Sequence, residues 1–284
     1  MEDTGEFLSR IVARSFRFLP TNLISRVWGR VTRTHSSRFL VAPFSRAFRI
    51  DAAEAEFGLN EYSSLNAFFT RRLKPGSRPV DSDAAACVSP VDGRVSESGV
   101  CAQDHLLQVK GIPYDLYGLL RDNFMARTFE SGHYLTLYLS PKDYHRIHSP
   151  MDLSIDGLGY MPGALLPVNP PSVRYVEGLY TQNERLMLYA TSPAGRVGMV
   201  LVGANCVGSV QLNFDSFTTN RPGVGPKRLN FQQPFQVKKG DEIGRFEMGS
   251  TVILLFEKGR IELTPPQGGM AVRMGQKIGR IVRV

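Results

Sequence analysis

No stretch of this 284-residue chain approaches the roughly eighteen apolar residues that a membrane-spanning helix needs. The N-terminus lacks the apolar core and small-residue cleavage site of a secretory signal, so no cleaved leader is expected. Cysteine is scarce: Cys87, Cys101 and Cys206 are odd in number, far apart and without metal-ligand spacing. A disulfide framework is therefore not expected, and a reducing compartment suits the chain. Acidic residues are nearly missing from the first fifty positions. Glu2, Asp3 and Glu6 face nine arginines there, so +6 of the chain's net +8 lies in that segment.

What is present describes a folded protein. Hydrophobic residues make up 42% of the chain, enough for one large domain or two small ones with a sizeable core. In the basic segment Leu8, Ile11, Val12, Phe16 and Leu19 recur at helical spacing, with Arg10, Arg14 and Arg17 on another stripe. After Pro20 the pattern restarts. Leu23, Val27 and Val31 form an apolar stripe flanked by Ile24 and Trp28, Arg26, Arg30 and Arg33 form a basic one, and Thr21 or Asn22 is the candidate cap. Basic amphipathic helices of this kind suit an anionic membrane surface. No nucleic-acid motif accompanies them, so no nucleic-acid partner is expected.

Residues 1 to about 75 thus read as short helices broken at Pro20 and Pro43, the last spanning Ser63 to Leu73 before Pro75-Gly76. From about residue 85 the pattern turns to strands, as in Tyr134–Leu139, Val197–Val202 and Val210–Phe214. The fold class read from this is α+β, with a β-rich barrel- or sandwich-like catalytic core following the N-terminal helices. The division expected is 1–80 for a helical membrane-associating segment and 81–284 for the catalytic domain. Gly240–Phe246 recurs as Gly275–Ile281, which predicts two like hairpins in one compact unit.

Three places offer chemistry. The first is Gly249-Ser250-Thr251, directly before the apolar run Val252–Phe256. Glycine lacks a Cβ, so its carbonyl can be approached closely by the neighbouring hydroxyl. The second is Asp143-Tyr144-His145-Arg146-Ile147-His148, closed by Pro150. Two histidines three residues apart are candidates for general acid and base, or for part of a polar surface loop. No third ligand at metal spacing joins them, so no metal is expected. The third is Pro90-Val91-Asp92-Gly93, which by composition alone is a hairpin-turn signal.

Taken in order, these segments resemble the phosphatidylserine decarboxylase family. That family has Leu-Gly-Ser-Thr where Met248-Gly249-Ser250-Thr251 stands, Asp-Tyr-His-Arg-x-His at residues 143–148 and Pro-x-Asp-Gly at 90–93. Its Phe-Asn-Glu-Phe-Phe element is matched at 65–69 with departures at Leu65 and Ala67, and Pro162-Gly163 and Asn183-Glu184-Arg185 also resemble family segments.

The resemblance implies a proenzyme that cuts itself between Gly249 and Ser250, giving chains 1–249 and 250–284. Asp92, His148 and Ser250 would form the cleavage triad. Ser250 would become a covalent pyruvoyl group, the cofactor. That group would form a Schiff base with phosphatidylserine and release carbon dioxide and phosphatidylethanolamine. His145 would serve as acid and base in the decarboxylation. From the residues alone either histidine could take either task; the division of labour follows the resemblance. The same source implies a peripheral protein on the cytoplasmic face of the cell membrane, and a homodimer. Arg71, Arg72 and Lys74 offer charge for the substrate phosphate and nothing more specific.

Two rivals keep the chain uncut. One is a serine hydrolase acting on a lipid ester at the membrane, although Gly-x-Ser-x-Gly is not found around Ser250. The other is a carrier-like module suggested by the repeated hairpins, with Lys258 as its modifiable residue.

Overall fold

The computed structural model describes residues 4–102, 105–108, 112–205, 209–247, 250–265 and 268–282. Gly249 and Cys206 lie outside them; Cys87 and Cys101 are buried, and no disulfide joins them.

Val252 through Phe256 are β-branched, leucine or phenylalanine, and the strand Ser250–Phe256 is buried along its whole length. Such a strand must have sheet on both edges and packing on both faces. It does. It pairs antiparallel with His133–Leu139 on one side and Gly195–Gly203 on the other. The sheet continues outward through Arg185–Ser192, Leu153–Met161 and Lys227–Val237, and in the other direction through Gly93–Val100 and Ala271–Val272. Val252, Leu254 and Phe256 enter one core, and Ile253 and Leu255 enter the other. Among the described residues this eight-stranded sheet stays open, so the strand-rich α+β class holds without closure into a barrel.

The helices Thr4–Ser15, Thr21–Arg33, Val41–Phe48 and Leu65–Phe69 precede the sheets. Pro43 does not break a helix. It sits in the first turn of Val41–Phe48, where its missing N–H has no intrahelical partner to lose. Thr21 and Asn22 do not cap either. Thr21 Oγ1 accepts the Leu165 N–H at 3.2 Å, and Asn22 donates to the Gly163 carbonyl at 2.8 Å. Helix Thr21–Arg33 buries Thr21, Ser25, Gly29 and Thr32 and turns Leu23, Ile24, Val27 and Val31 outward. Its small polar face is therefore the packed one. Small residues let the helix approach closely, and the large apolar stripe is left at the surface. The last predicted helix is shorter than expected, because Arg146 takes the carbonyls of Thr70 and Arg71 and Leu73 bridges to Ala55.

The Gly240/Gly275 repeat does not form two hairpins of one unit. Glu242–Phe246 is the centre of one three-stranded sheet, between Val210–Leu212 and Arg146–His148. Lys277–Ile281 is the centre of a second, between Ala86–Val88 and Ile261–Leu263. The two are related by a wider duplication, for Ser89-Pro90-Val91-Asp92 and Ser149-Pro150-Met151-Asp152 occupy like positions. Gly240 N–H donates to Ser149 O and Gly275 N–H to Ser89 O. The two halves also exchange bonds: His148 N–H to Pro90 O at 2.8 Å, and Val88 N–H to Pro150 O at 2.9 Å.

Candidate active site

This exchange brings the candidate residues together. The His148–Pro90 bond sets the histidine beside the Asp92 turn. Asp92-Gly93 is not a hairpin turn, because Ala86–Val88 and Gly93–Val100 enter different sheets. Asp92 instead lies at the crossing point. Its carboxylate accepts Arg78 Nε at 2.8 and 3.0 Å, Arg78 Nη2 at 2.6 Å and the Met274 N–H at 2.8 Å. Arg78 also donates to Glu54 at 2.8 Å. Burial disfavours the Arg78 charge, but these hydrogen bonds outweigh it and hold its pKa above the ordinary value. The equivalent Asp152 caps Lys239 N–H in the same way, but at the surface and without such an arginine.

His148 is held by both ring nitrogens. Nδ1 lies 2.8 Å from the Gly240 carbonyl, which can only accept, so Nδ1 carries the proton. Nε2 therefore presents its lone pair and accepts the Tyr144 hydroxyl at 3.0 Å. Burial lowers the pKa of His148, and the charges of Glu242 and Asp92 push the other way. No hydrogen bond joins Asp92 to His148 among the described residues; Asp92 acts on the ring through space.

His145 is fully buried and its ring stacks on Phe69, with centroids 4.1 Å apart. Its Nδ1 donates to the Asp143 carbonyl at 2.8 Å, and its Nε2 has no partner. Burial pushes its pKa down to about 3, so the ring is neutral and Nε2 holds a free lone pair. The segment after Leu65 braces this loop: Phe69 supports the ring, and Arg71 donates to the Lys142 carbonyl at 3.0 Å. Arg71 is itself buried, with Nε and Nη1 unpartnered.

Ser250 opens the central strand, paired with Leu139 and Gly203 and wholly buried. Its Oγ has no hydrogen-bond partner among the described residues. Alternation along the strand gives Ser250 the side taken by Val252 and Leu254, in the core that Val91 and Ile147 also enter. The Ser250–Leu139 pairing and the Phe246 N–H to His145 O bond close a short circuit of chain containing both His145 and Ser250. A buried hydroxyl and a buried imidazole nitrogen, both unpartnered, are therefore neighbours in topology. Thr251 Oγ1 beside it is unpartnered too, so it is the Gly-Ser-Thr motif together with the unbonded hydroxyl that singles out Ser250. Position 250 thus fits a group made from the serine itself. Among the described residues no three His, Cys, Asp or Glu side chains converge as metal ligands would.

Asn183, Glu184 and Arg185 brace the other flank. Asn183 donates to Leu166 O and Gly203 O, and the Glu184 carbonyl accepts the Gly203 N–H at 2.9 Å. Arg185 donates to four backbone carbonyls, those of Gly118, Leu119, Thr181 and Asn183. Arg78, Tyr144 and Gly240 were not legible as site residues. The duplicated Ser-Pro-x-Asp was the signal that could have pointed to the last, since it pairs the two glycine turns.

The family model described as phosphatidylserine decarboxylase matches residues 65–280. A phosphatidylserine decarboxylase proenzyme of Anaeromyxobacter sp. (strain K) is 44% identical over 277 residues, covering 95% of this chain and 98% of the relative. Proteins of the same name from Myxococcus xanthus (strain DK1622) and Shewanella baltica (strain OS155 / ATCC BAA-1091) are 43% and 40% identical, covering 93% of this chain and 95% and 94% of theirs. Neither the hydrolase nor the carrier rival draws support from these relatives. The matches span both the histidine loop and the strand headed by Ser250, and on them this chain belongs to the phosphatidylserine decarboxylase family.

Proposed function

We propose that this chain is a proenzyme that cuts itself between Gly249 and Ser250, carries a pyruvoyl group made from Ser250, and decarboxylates phosphatidylserine to phosphatidylethanolamine. Family membership supports the reaction class. The observation that carries the site is the buried, unpartnered Ser250 hydroxyl at the head of the central strand.

In the cleavage step His148 takes the Ser250 proton at Nε2, the nitrogen that its Gly240 bond leaves basic. Tyr144 must release that nitrogen first. Asp92 favours the charged ring that results, since its negative charge already opposes the effect of burial on His148. Ser250 Oγ then replaces the amide nitrogen on the Gly249 carbonyl, and that nitrogen takes up the proton from His148; loss of the Ser250 α-proton expels the Gly249 carboxylate, and water replaces ammonia to leave the ketone at position 250. Strand Ser250–Phe256 keeps chain 250–284 bound to chain 1–249, for it lies between two partner strands.

Once formed, the pyruvoyl group supplies a sink for the electrons left when carbon dioxide departs. His145 serves this second reaction. Its Nε2 begins with a lone pair rather than a proton, so it takes a proton from the substrate ammonium and returns one at the carbon that lost carbon dioxide.

The membrane assignment rests on residues 1–80, with 81–284 as the catalytic part. Phe18 is 88% exposed, and Leu8, Ile11, Leu23 and Val27 are exposed as well, with arginines between them. No helix among the described residues is long and apolar enough to cross a membrane. An anionic lipid surface answers both the apolar side chains and the charge. Buried cysteines with no disulfide between them suit the cytoplasmic face. By the same resemblance the enzyme works as a homodimer.

The test is direct: purified protein with vesicles containing phosphatidylserine should release carbon dioxide and accumulate phosphatidylethanolamine. Release of fatty acid with no carbon dioxide would defeat the proposal.

A further inference from the structure

A cavity of about 340 Å³ lies between helix Thr21–Arg33 and the segments around Ser209 and Thr219. Four arginines are among its lining residues, Arg26, Arg30, Arg33 and Arg221, and no acidic residue is. Arg33 is committed to Glu247. Arg26, Arg30 and Arg221 make no hydrogen bond or ion pair among the described residues, and Arg26 acts on the Glu184 carboxylate only through space. Asn220 reaches the same cavity from a left-handed backbone position, φ 58°, and its buried Oδ1 is unpartnered. A loop held in that conformation beside three arginines without ion pairs is suited to an anion.

The cavity is tied to both flanks of position 250. Glu247, three residues before Ser250, accepts Ser209 Oγ at 3.0 Å and pairs with Arg33, and its N–H donates to Ser209 O. On the other flank, the Asn220 N–H donates to Glu184 Oε1 at 2.7 Å, and the Glu184 carbonyl holds Gly203, the strand partner of Ser250. Arg26 also borders a neighbouring cavity of about 670 Å³ walled by Phe16, Leu19 and Leu23, on the side that carries the exposed apolar residues.

We propose that this arginine cavity binds the phosphate of the lipid headgroup, positioning the substrate amine at residue 250. The proposal rests on the decarboxylase reading and adds a site to it. In a phosphoserine headgroup, four bonds separate phosphorus from the amine nitrogen, so a phosphate pocket must adjoin the reacting position. Arginine forks match phosphate oxygens in pairs. The substrate carboxylate is the wrong occupant. Four arginines would stabilise it as an anion, and it must leave as neutral carbon dioxide, so that binding would raise the barrier rather than lower it. The phosphate keeps its charge throughout and can be held without penalty.

The experiment measures binding to the uncut Ser250→Ala protein, which needs no turnover. Glycerophosphoserine and glycerophosphoethanolamine should bind with similar affinity, and free serine should not bind. Arg26→Gln and Arg221→Gln should each weaken binding about tenfold or more, the loss of one charge-assisted hydrogen bond. Since neither arginine makes a hydrogen bond or ion pair among the described residues, and Arg26 acts on Glu184 only through space, both variants should melt within about 2 °C of the parent. In the otherwise wild-type chain the same substitutions should raise KM for phosphatidylserine while cutting at residue 250 stays complete. Unchanged affinity in both variants, or serine binding as well as glycerophosphoserine, would overturn the proposal. So would binding of inorganic phosphate alone, which would mark a free-anion site. If the wild-type chain were never cut, the decarboxylase reading would fail while the binding result stood.

Discussion

Replacing Ser250 with alanine should make the uncut chain more stable while abolishing its chemistry. The Ser250 hydroxyl is fully buried and bonds to nothing among the described residues. Burying an unpaired hydroxyl costs about 1–3 kcal/mol, and the change to alanine removes that cost while keeping the Cβ. The surrounding strand pairs through backbone groups, which the substitution leaves alone. The comparison needs two uncut chains, so the background is His148→Ala, with and without Ser250→Ala. Urea unfolding should then favour the alanine chain by about 1–2 kcal/mol, or about 2–4 °C in Tm for a chain of this length. A loss of stability would refute the reasoning. It would mean that the hydroxyl is bound into a network and that its orphan state in the fold is not real.

The two histidines should separate by phenotype: His148→Ala should leave the chain uncut, and His145→Ala should be cut but nearly inactive, both read on denaturing gels and by carbon dioxide release. Cleavage phenotypes in the reverse order would exchange the two roles. Burial lowers both pKa values in the folded chain, so the unfolded chain takes up protons first as pH falls. Stability should thus be full above about pH 6.5 and fall below it, by up to about 1.4 kcal/mol per pH unit for each histidine. In the Ser250→Ala chain, His145→Asn should make that slope shallower, and an unchanged slope would count against a neutral, buried His145. On the membrane proposal, Leu23→Glu should weaken binding to anionic vesicles about tenfold or more and leave cutting intact, since this leucine is exposed in the fold.

The central strand was legible because its residues admit one placement: an unbroken apolar run after a glycine must be interior sheet. The helix Thr21–Arg33 was legible in extent and not in orientation. Amphipathicity locates a stripe; it does not say which stripe meets the protein, and here Ser25 and Gly29 do. The breaks were less legible, since Pro43 is compatible with a helix start as much as with a stop. Asp92-Gly93 carried a hairpin signal that is local, while the destinations of its two strands are set by pairings with residues 277–281 and 133–139. Ser250, His145, His148 and Asp92 were readable as residue types in ordered motifs. Of their partners, Arg78 is brought in by tertiary folding and no spacing announces it, while Tyr144 lies inside the histidine motif and Gly240 inside the repeat, and neither pattern says which atom each would bond. The arginine cavity is of the same kind. Arg26 and Arg30 read as a solvated helix stripe until the loop carrying Arg221 closes over them.

The measurement that bears most directly on this account is denaturing intact-mass spectrometry of the purified wild-type protein. The account predicts two chains, 1–249 and 250–284, the smaller one lighter by one ammonia than the same peptide with a free N-terminal serine. A single full-length mass from a sample that releases carbon dioxide from phosphatidylserine would contradict it.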